Sequence, residues 1–155
     1  QSRELNKFQG GMARSFEEIE EDVLQSSGMK EICLTFKRAN NLCDGQEVEI
    51  HQMRVLTQEN GFAKVSPEGV HQDGFDYIAM IGVNRHNIHG GELLIHGEGP
   101  KGVGYAQAPF LTYMLSDGEM VLLNDRKLWH NANPIAAGEE FDTGHGDWFI
   151  LCANK

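Results

Sequence analysis

Two side chains that can bind a metal ion stand two residues apart in the segment 67–74, whose sequence is PEGVHQDG. Alternate side chains of an extended strand share a face, so His71 and Asp73 can direct an imidazole and a carboxylate at one point. The best-placed third ligand is His130, in a second apolar segment that also predicts a strand. Two histidines and one carboxylate form the facial triad of non-haem Fe(II) oxygenases, which leaves coordination positions open.

The His-x-Asp tripeptide is a weak signal by itself, because the chain has 7 His and chance pairs with acids are common. Taken alone, it favours a loop histidine and a turn carboxylate. The segments around it favour metal ligands instead.

Residues 47–155 resemble the 2-oxoglutarate- and Fe(II)-dependent dioxygenases that include bacterial L-isoleucine 4-hydroxylase, a group that hydroxylates free amino acids. The matching segments occur in the family's order: HQMR at 51–54, PEGVHQDG at 67–74, NRHNIHGGE at 84–92 and HNANPI at 130–135. The resemblance implies a double-stranded β-helix, the cupin-like jelly roll. It also implies Fe(II), 2-oxoglutarate and O2 as cofactors. The implied substrate is a small free amino acid, which is hydroxylated or closed oxidatively into a ring.

The chain departs from the family pattern at the start of its last predicted strand. The family has an Arg-Asp pair there, whereas this chain has His145-Gly146-Asp147. Three alternatives follow. Protonated His145 binds the distal carboxylate of 2-oxoglutarate, or Arg54 or Arg126 reaches it from another strand, or the cosubstrate is not 2-oxoglutarate. A bidentate guanidinium and an imidazolium are not equivalent partners for a carboxylate. A cupin-type metal dioxygenase that does not use 2-oxoglutarate is therefore the first alternative, and a jelly-roll binding module with structural histidines is the second.

From Glu47 onward the hydrophobic pattern has period two and turn residues recur at short intervals. Many short strands without interleaved helices predict a mainly β fold, an antiparallel barrel or sandwich. In the first strand, Val48 and Ile50 share a face with Gln52 and Arg54. Those two polar side chains either line the cavity and bind a carboxylate of cosubstrate or substrate, or point to water. The predicted strands are 47–57, 76–83, 92–96, 105–115, 119–124, 127–131 and 147–153.

Two aromatic residues are candidates for a substrate pocket. Tyr77 continues the parity of His71 and Asp73 if the chain stays extended without a bulge. Trp148 shares the inward face of the last strand with Gly146 if that strand is regular. Ordinary core packing explains Trp148 equally well. The segment 84–91 predicts a loop in which Gly90 and Gly91 supply positive φ angles.

The sequence predicts a single oxygenase domain, with a helical N-terminal part at 1–46 and the jelly-roll core at 47–155. The family's members are longer, which is consistent with a portion of a longer chain. A capping box at Ser15 predicts a first helix that ends near Gly28. A second helix is predicted at about 30–42. Both helices are expected to pack outside the sheet.

Charge and cysteine content exclude several classes of partner. The formal net charge of −10 and the lack of a Lys/Arg cluster argue against nucleic-acid and anionic-membrane partners. The three cysteines, Cys33, Cys43 and Cys152, have no CxxC spacing, which argues against a disulfide framework or a zinc knuckle. No apolar run is long enough to span a bilayer and no signal-peptide pattern opens the chain, so a cytoplasmic protein is expected. The oligomeric state has no signal in the sequence.

Overall fold

The computed structural model describes residues 17–57, 61–101 and 104–155. Two helices, α1 (Glu21–Gln25) and α2 (Ser27–Asn40), precede all the strands. The strands are β1 (Glu49–Leu56), β2 (Phe62–Ala63), β3 (Tyr77–His86), β4 (Ile88–Gly90), β5 (Leu93–His96), β6 (Leu111–Tyr113), β7 (Met120–Asn124), β8 (Trp129–Ala132), β9 (Ile135–Ala137) and β10 (His145–Ala153). None of the helices in these residues is long and apolar enough to cross a bilayer.

The strands form one four-stranded and two three-stranded sheets. The larger sheet has the order β1-β10-β3-β7, and the smaller ones have the orders β2-β9-β4 and β6-β5-β8. Every pairing between these strands is antiparallel. The predicted mainly β, antiparallel architecture is confirmed, and it is consistent with a jelly-roll-like dioxygenase fold.

Helix α2 begins three residues earlier than predicted because Ser26 caps it. The Ser26 hydroxyl accepts a hydrogen bond from the Met29 N–H at 3.1 Å, which satisfies one of the free donors of the first turn. Asn41 ends the helix in the left-handed region with φ 51°. The predicted capping box at Ser15 lies outside the described residues, and α1 is a helix of only five residues.

Two hydrophobic clusters lie on opposite faces of the larger sheet, because alternate residues of its strands point in opposite directions. The inter-sheet core joins the larger sheet to the smaller ones and consists of Ile78, Met80, Leu93, Ile95, Leu115, Leu123, Ile135, Trp148 and Cys152. The helix-side core packs α2 onto the other face and consists of Met29, Phe36, Leu42, Ala79, Ile81, Phe149, Leu151 and Ala153. The expectation that the helices cover the outside of the sheet is confirmed.

The predicted loop at 84–91 is wrong, because most of this segment is strand. β3 continues to His86 and β4 follows at once, with Asn87 as the single turning residue at φ 47°. An asparagine tolerates this left-handed conformation, and the Asn87 side chain also donates to the carbonyls of Phe141 and Thr143 at 2.7 and 2.8 Å. The positive φ angles expected at Gly90 and Gly91 are confirmed at 79° and 80°. Conversely, the predicted strand at 105–115 is reduced to the three residues of β6.

Candidate metal centre

His71, Asp73 and His130 lie together, and their ligand atoms are all within 4.8 Å of one another. His71 Nε2 is 3.5 Å from Asp73 Oδ1, and His130 Nε2 is 3.4 Å from Asp73 Oδ2. Two ligand atoms that each bind one ion at about 2.1 Å lie about 3 Å apart when they are at right angles. The three side chains therefore fit a shared metal ion with small adjustments.

Backbone hydrogen bonds hold the two histidines side by side. The His71 N–H donates to the His130 carbonyl at 3.0 Å, and the His130 N–H donates to the His71 carbonyl at 2.9 Å. His130 also pairs with Ile95 of β5, and paired residues project on the same face of a sheet. Because Ile95 is fully buried in the inter-sheet core, His130 points into the same interior.

Each histidine has its Nε2 towards Asp73 and its other ring nitrogen towards a protein oxygen. His71 Nδ1 is 3.0 Å from the Gly69 carbonyl, so that nitrogen must be the hydrogen-bond donor. His130 Nδ1 faces Asp125 Oδ1 at 3.8 Å and is buried without a hydrogen-bond partner. The arrangement at His71, with one nitrogen available to an ion and the other on an acceptor, is typical of metal-binding histidines.

Asp125, which no sequence motif marks as part of the site, holds the backbone that follows His71. Its carboxylate accepts from the N–H groups of Asp73 at 3.2 Å, Gly74 at 2.7 Å and Phe75 at 3.2 Å. The side chain is fully buried, and burial raises the pKa of its carboxyl group, as does the charge of Asp73, while His130 opposes the shift. Asp125 therefore fixes the position of one proposed ligand and faces a second.

The electrostatics favour an ionised carboxylate at the centre. Burial alone would raise the pKa of Asp73, but hydrogen bonds and charge from His130 and His71 hold it well below its usual range. Burial likewise opposes protonation of His71, yet Asp73, with the charge of Glu68, raises its pKa. An ionised carboxylate is the form that binds a cation.

Glu68 adds a second negative charge beside the cluster. Its Oε1 lies 3.3 Å from His71 Nε2, and its side chain is only 13% exposed. Its other oxygen is buried with no hydrogen-bond partner. The matching PEGVHQDG segment contained this residue, but nothing in its spacing marked it as part of the site.

Gln52 and Arg54 lie outside the inter-sheet interior, so the alternative that they line the cavity is wrong and the alternative that they point to water holds. They do share a face with Val48 and Ile50, as predicted, but that face packs against the helix-side core. Both side chains are exposed. Arg54 Nε and Nη2 donate to the two carboxylate oxygens of Asp147, each at 2.7 Å.

Tyr77 also belongs to the helix-side core, not to a substrate pocket between the sheets. The extended chain is interrupted after Asp73, because Gly74 has φ 94° and β3 begins only at Tyr77. Phe75 packs on the inter-sheet core while Tyr77 packs on the opposite face. The predicted parity of Tyr77 with His71 and Asp73 is therefore wrong.

The start of β10 separates the two remaining candidates. His145 lines a surface cavity of about 370 Å³ with Leu56, Thr57, His86, Phe141, Thr143 and Gly144, and its Nε2 is 3.1 Å from Asn84 Nδ2. Trp148 is 5% exposed and lies in the inter-sheet core. Trp148 therefore faces inward as predicted, whereas His145 is on the other face of the strand. The alternative anchor, Arg126, pairs with Asp76 at the surface at 2.9 Å.

Three solved structures are similar to most of this chain. A bsmA homolog from Methylobium petroleophilum PM1 has 24% sequence identity and a TM-score of 0.73, with 94% of this chain and 57% of that chain covered. IDO from Bacillus thuringiensis has 15% identity and a TM-score of 0.74, with coverages of 92% and 62%. The Fe(II)/(alpha)ketoglutarate-dependent dioxygenase TqaL has 18% identity and a TM-score of 0.67, with coverages of 93% and 59%. At these identities the likeness establishes the fold, and the chain spans less than two thirds of each protein.

No protein of curated function matches the chain. The model of the 2OG-Fe dioxygenase family, in contrast, matches residues 1–152. The cofactors of that family are Fe(II), 2-oxoglutarate and O2, and a His-Asp-His cluster is a ligand set suited to such an iron. With nearly every residue matched, this chain belongs to the 2OG-Fe dioxygenase family.

Proposed function

We propose that this protein is a non-haem Fe(II)- and 2-oxoglutarate-dependent oxygenase that oxidises an unactivated C–H bond of a small free amino acid. The observation that carries the proposal is the cluster of His71, Asp73 and His130, whose ligand atoms lie within 4.8 Å of one another. Three protein ligands leave coordination positions open for cosubstrate and O2. When bound, the iron together with 2-oxoglutarate and O2 supplies the oxidant for the C–H bond.

The protein's own contribution is to hold the ligands and to exclude water. Asp125 fixes the turn at Asp73 through three backbone N–H groups. The reciprocal backbone hydrogen bonds hold His71 beside His130. The apolar inter-sheet core, which includes Ile95 and Trp148, surrounds the interior that His130 faces. A rigid, dry site strengthens the electrostatic interactions on which positioning depends.

Glu68 supports an amino acid as the substrate. Once His71 binds a metal through Nε2 it is neutral, so it no longer offers a positive charge to the Glu68 carboxylate. One oxygen of Glu68 is buried without a hydrogen-bond donor, and a buried charge is costly unless it is paired. The ammonium group of a free amino acid would supply both the donor and the opposite charge.

The fold and the location of the protein are parts of the same proposal. The order β1-β10-β3-β7 in the larger sheet, opposed by two short sheets, supports a double-stranded β-helix. Three free cysteines support a reducing compartment such as the cytosol. The product is a hydroxylated amino acid or, through the same C–H oxidation, a cyclised one.

A metal dioxygenase that does not use 2-oxoglutarate is the second candidate. The observation that favours it lies on the interior face of β10, where positions 146 and 148 carry glycine and tryptophan. Neither residue can bind a carboxylate by charge. In such an enzyme the substrate itself would chelate the metal.

Anaerobic titration of the Fe(II)-loaded protein with 2-oxoglutarate tests the proposal. We expect the visible charge-transfer band of a metal-bound 2-oxo acid to appear and to saturate. Free amino acids should then perturb the band, whereas the matching acids that lack the amino group should not. If iron is retained and no band appears, the second candidate becomes the better account, and if iron is not retained the metal centre itself is wrong.

A further inference from the structure

A β-bulge in β3 directs Arg85 into the space between the sheets. Along this strand Tyr77, Ala79 and Ile81 face the helices, and a regular strand would put residue 85 on that same side. The pairing with β10 skips Val83, however, since Trp148 pairs with Gly82 and Asp147 pairs with Asn84. One extra residue reverses the faces of a strand, so Arg85 pairs with Gly146 on the side of Trp148.

The guanidinium of Arg85 lies among residues of the inter-sheet core. A Cβ built on Gly91 would be 3.2 Å from Arg85 Nη1 and 3.8 Å from Trp148 Cζ2, and would also touch Ile135. Arg85 Nη2 donates to the Gly90 carbonyl at 2.6 Å. Nη1 is buried and has no hydrogen-bond partner. One end of this cation is therefore anchored to the backbone and the other end is free to bind.

No carboxylate of the described residues forms an ion pair with Arg85. Glu92 and Asp117 act on the guanidinium only through longer-range charge, and burial lowers its pKa, although arginine remains charged at physiological pH. The Glu92 carboxylate is already held by Asn133 Nδ2 at 3.0 Å. Arg85 is half-buried, and a buried N–H such as that of Nη1 is costly unless an acceptor completes it.

Gly146 explains why the interior cation is on β3 and not on β10. A side chain at position 146 would collide with the ring of Trp148, which lies over the glycine. Position 146 therefore cannot carry a cation while Trp148 keeps this orientation. The strand next to it supplies one, because Arg85 is the residue directly opposite Gly146.

We propose that Arg85 binds the distal carboxylate of 2-oxoglutarate, an inference that rests on the proposed function. That carboxylate is the anionic group of the cosubstrate that does not bind the metal. A guanidinium offers a carboxylate two parallel charge-assisted hydrogen bonds. Arg85 then has the anchoring role that the sequence offered to His145, Arg54 or Arg126. Those three residues all lie away from the interior between the sheets.

Equilibrium binding of two 2-oxo acids tests the assignment without turnover. 2-Oxoglutarate and 2-oxobutyrate chelate a metal through the same atoms, but only 2-oxoglutarate has a distal carboxylate. We expect Arg85→Gln to weaken 2-oxoglutarate binding to the anaerobic Fe(II) protein by at least about 30-fold, the minimum cost of removing one partner of a buried charge pair. Binding of 2-oxobutyrate and retention of Fe(II) should stay at the wild-type level.

Arg54→Gln is the matched control, because it makes the same change at an arginine outside the interior, and it should alter neither affinity. Arg85→Lys, which keeps the charge but loses the bidentate geometry, should reduce the preference for 2-oxoglutarate by less. That variant decides the question if Arg85→Gln does not fold. If either folded Arg85 variant keeps the wild-type ratio of 2-oxoglutarate to 2-oxobutyrate affinity, Arg85 is not the carboxylate anchor, while the proposed function still stands. Lack of any chelate band in the wild-type protein overturns the proposed function as well.

Discussion

Replacing Asp125 by asparagine tests whether this buried carboxylate holds the metal centre together. Asparagine has the same shape, but only one of its two terminal atoms accepts a hydrogen bond. The amide oxygen can serve Gly74 and Phe75, which both donate to Oδ2 in the native protein. The amide nitrogen then faces the Asp73 N–H, now bound to Oδ1 at 3.2 Å, and the Nδ1 of His130.

The expected cost has two parts. One buried N–H without an acceptor lowers the free energy of unfolding by about 1–3 kcal/mol. Loss of a group that orients metal ligands weakens metal binding by about 10–100-fold. Urea unfolding of the metal-free protein measures the first part, and anaerobic calorimetric titration with Fe(II) measures the second.

Asp142→Asn is the control, because Asp142 is an exposed acid away from the cluster and the same change should leave both quantities near their native values. If Asp125→Asn binds Fe(II) with native affinity, the carboxylate does not order the ligands. Native metal affinity combined with reduced stability would assign Asp125 a purely structural role.

Three further changes test other parts of the structure. His71→Ala should abolish Fe(II) retention and turnover while the far-UV circular dichroism stays native, and native turnover with full iron would contradict the ligand assignment. Arg54→Gln should lower the free energy of unfolding only slightly at pH 7, as expected for an exposed ion pair. Because Arg54 lowers the pKa of Asp147, this contribution is present above the unfolded pKa of about 3.9 and is lost as the pH falls through the folded value. Urea unfolding at pH 7 and pH 3 checks it, and a difference that grows at pH 3 refutes it. Gly146→Ala should cost about 1–3 kcal/mol by forcing a Cβ against Trp148, and an unchanged urea midpoint would show that the ring does not lie there.

Much of the fold follows from local patterns, because alternation and turn residues act over a few neighbours. The period-two pattern after Glu47 predicted the antiparallel strands, and the Gly90-Gly91 pair predicted positive φ angles. Alternation does not say what covers each face, however. For Gln52 and Arg54 the pattern left the cavity and water as alternatives, because they share a face with apolar residues, and that face packs against the helix-side core.

The metal ligands could be predicted from the sequence, but the residues that position them could not, because those residues are far away along the chain. His71 and Asp73 are two residues apart in a recognisable segment. Asp125 meets the N–H groups of residues 73–75 across about fifty residues, so no short pattern marks it. Arg85 was assigned to a predicted loop, and only the bulge at Val83 turns it inward. A single skipped residue in a pairing register has no signature in composition.

The two faces of β10 separate the stability of the sheet from the chemistry of the site. Asp147 pairs with Arg54 on the helix side, while Gly146 pairs with Arg85 on the interior side. Arg54→Gln should therefore change the unfolding free energy without changing 2-oxo acid binding. Arg85→Gln should change the preference for 2-oxoglutarate, because Nη1 has no protein partner and is available to the cosubstrate. Arg54 and Arg85 therefore contact neighbouring residues of β10, but on opposite faces of the sheet, and only Arg85 is placed to bind the cosubstrate. Equal effects of the two variants on cosubstrate affinity would refute that separation.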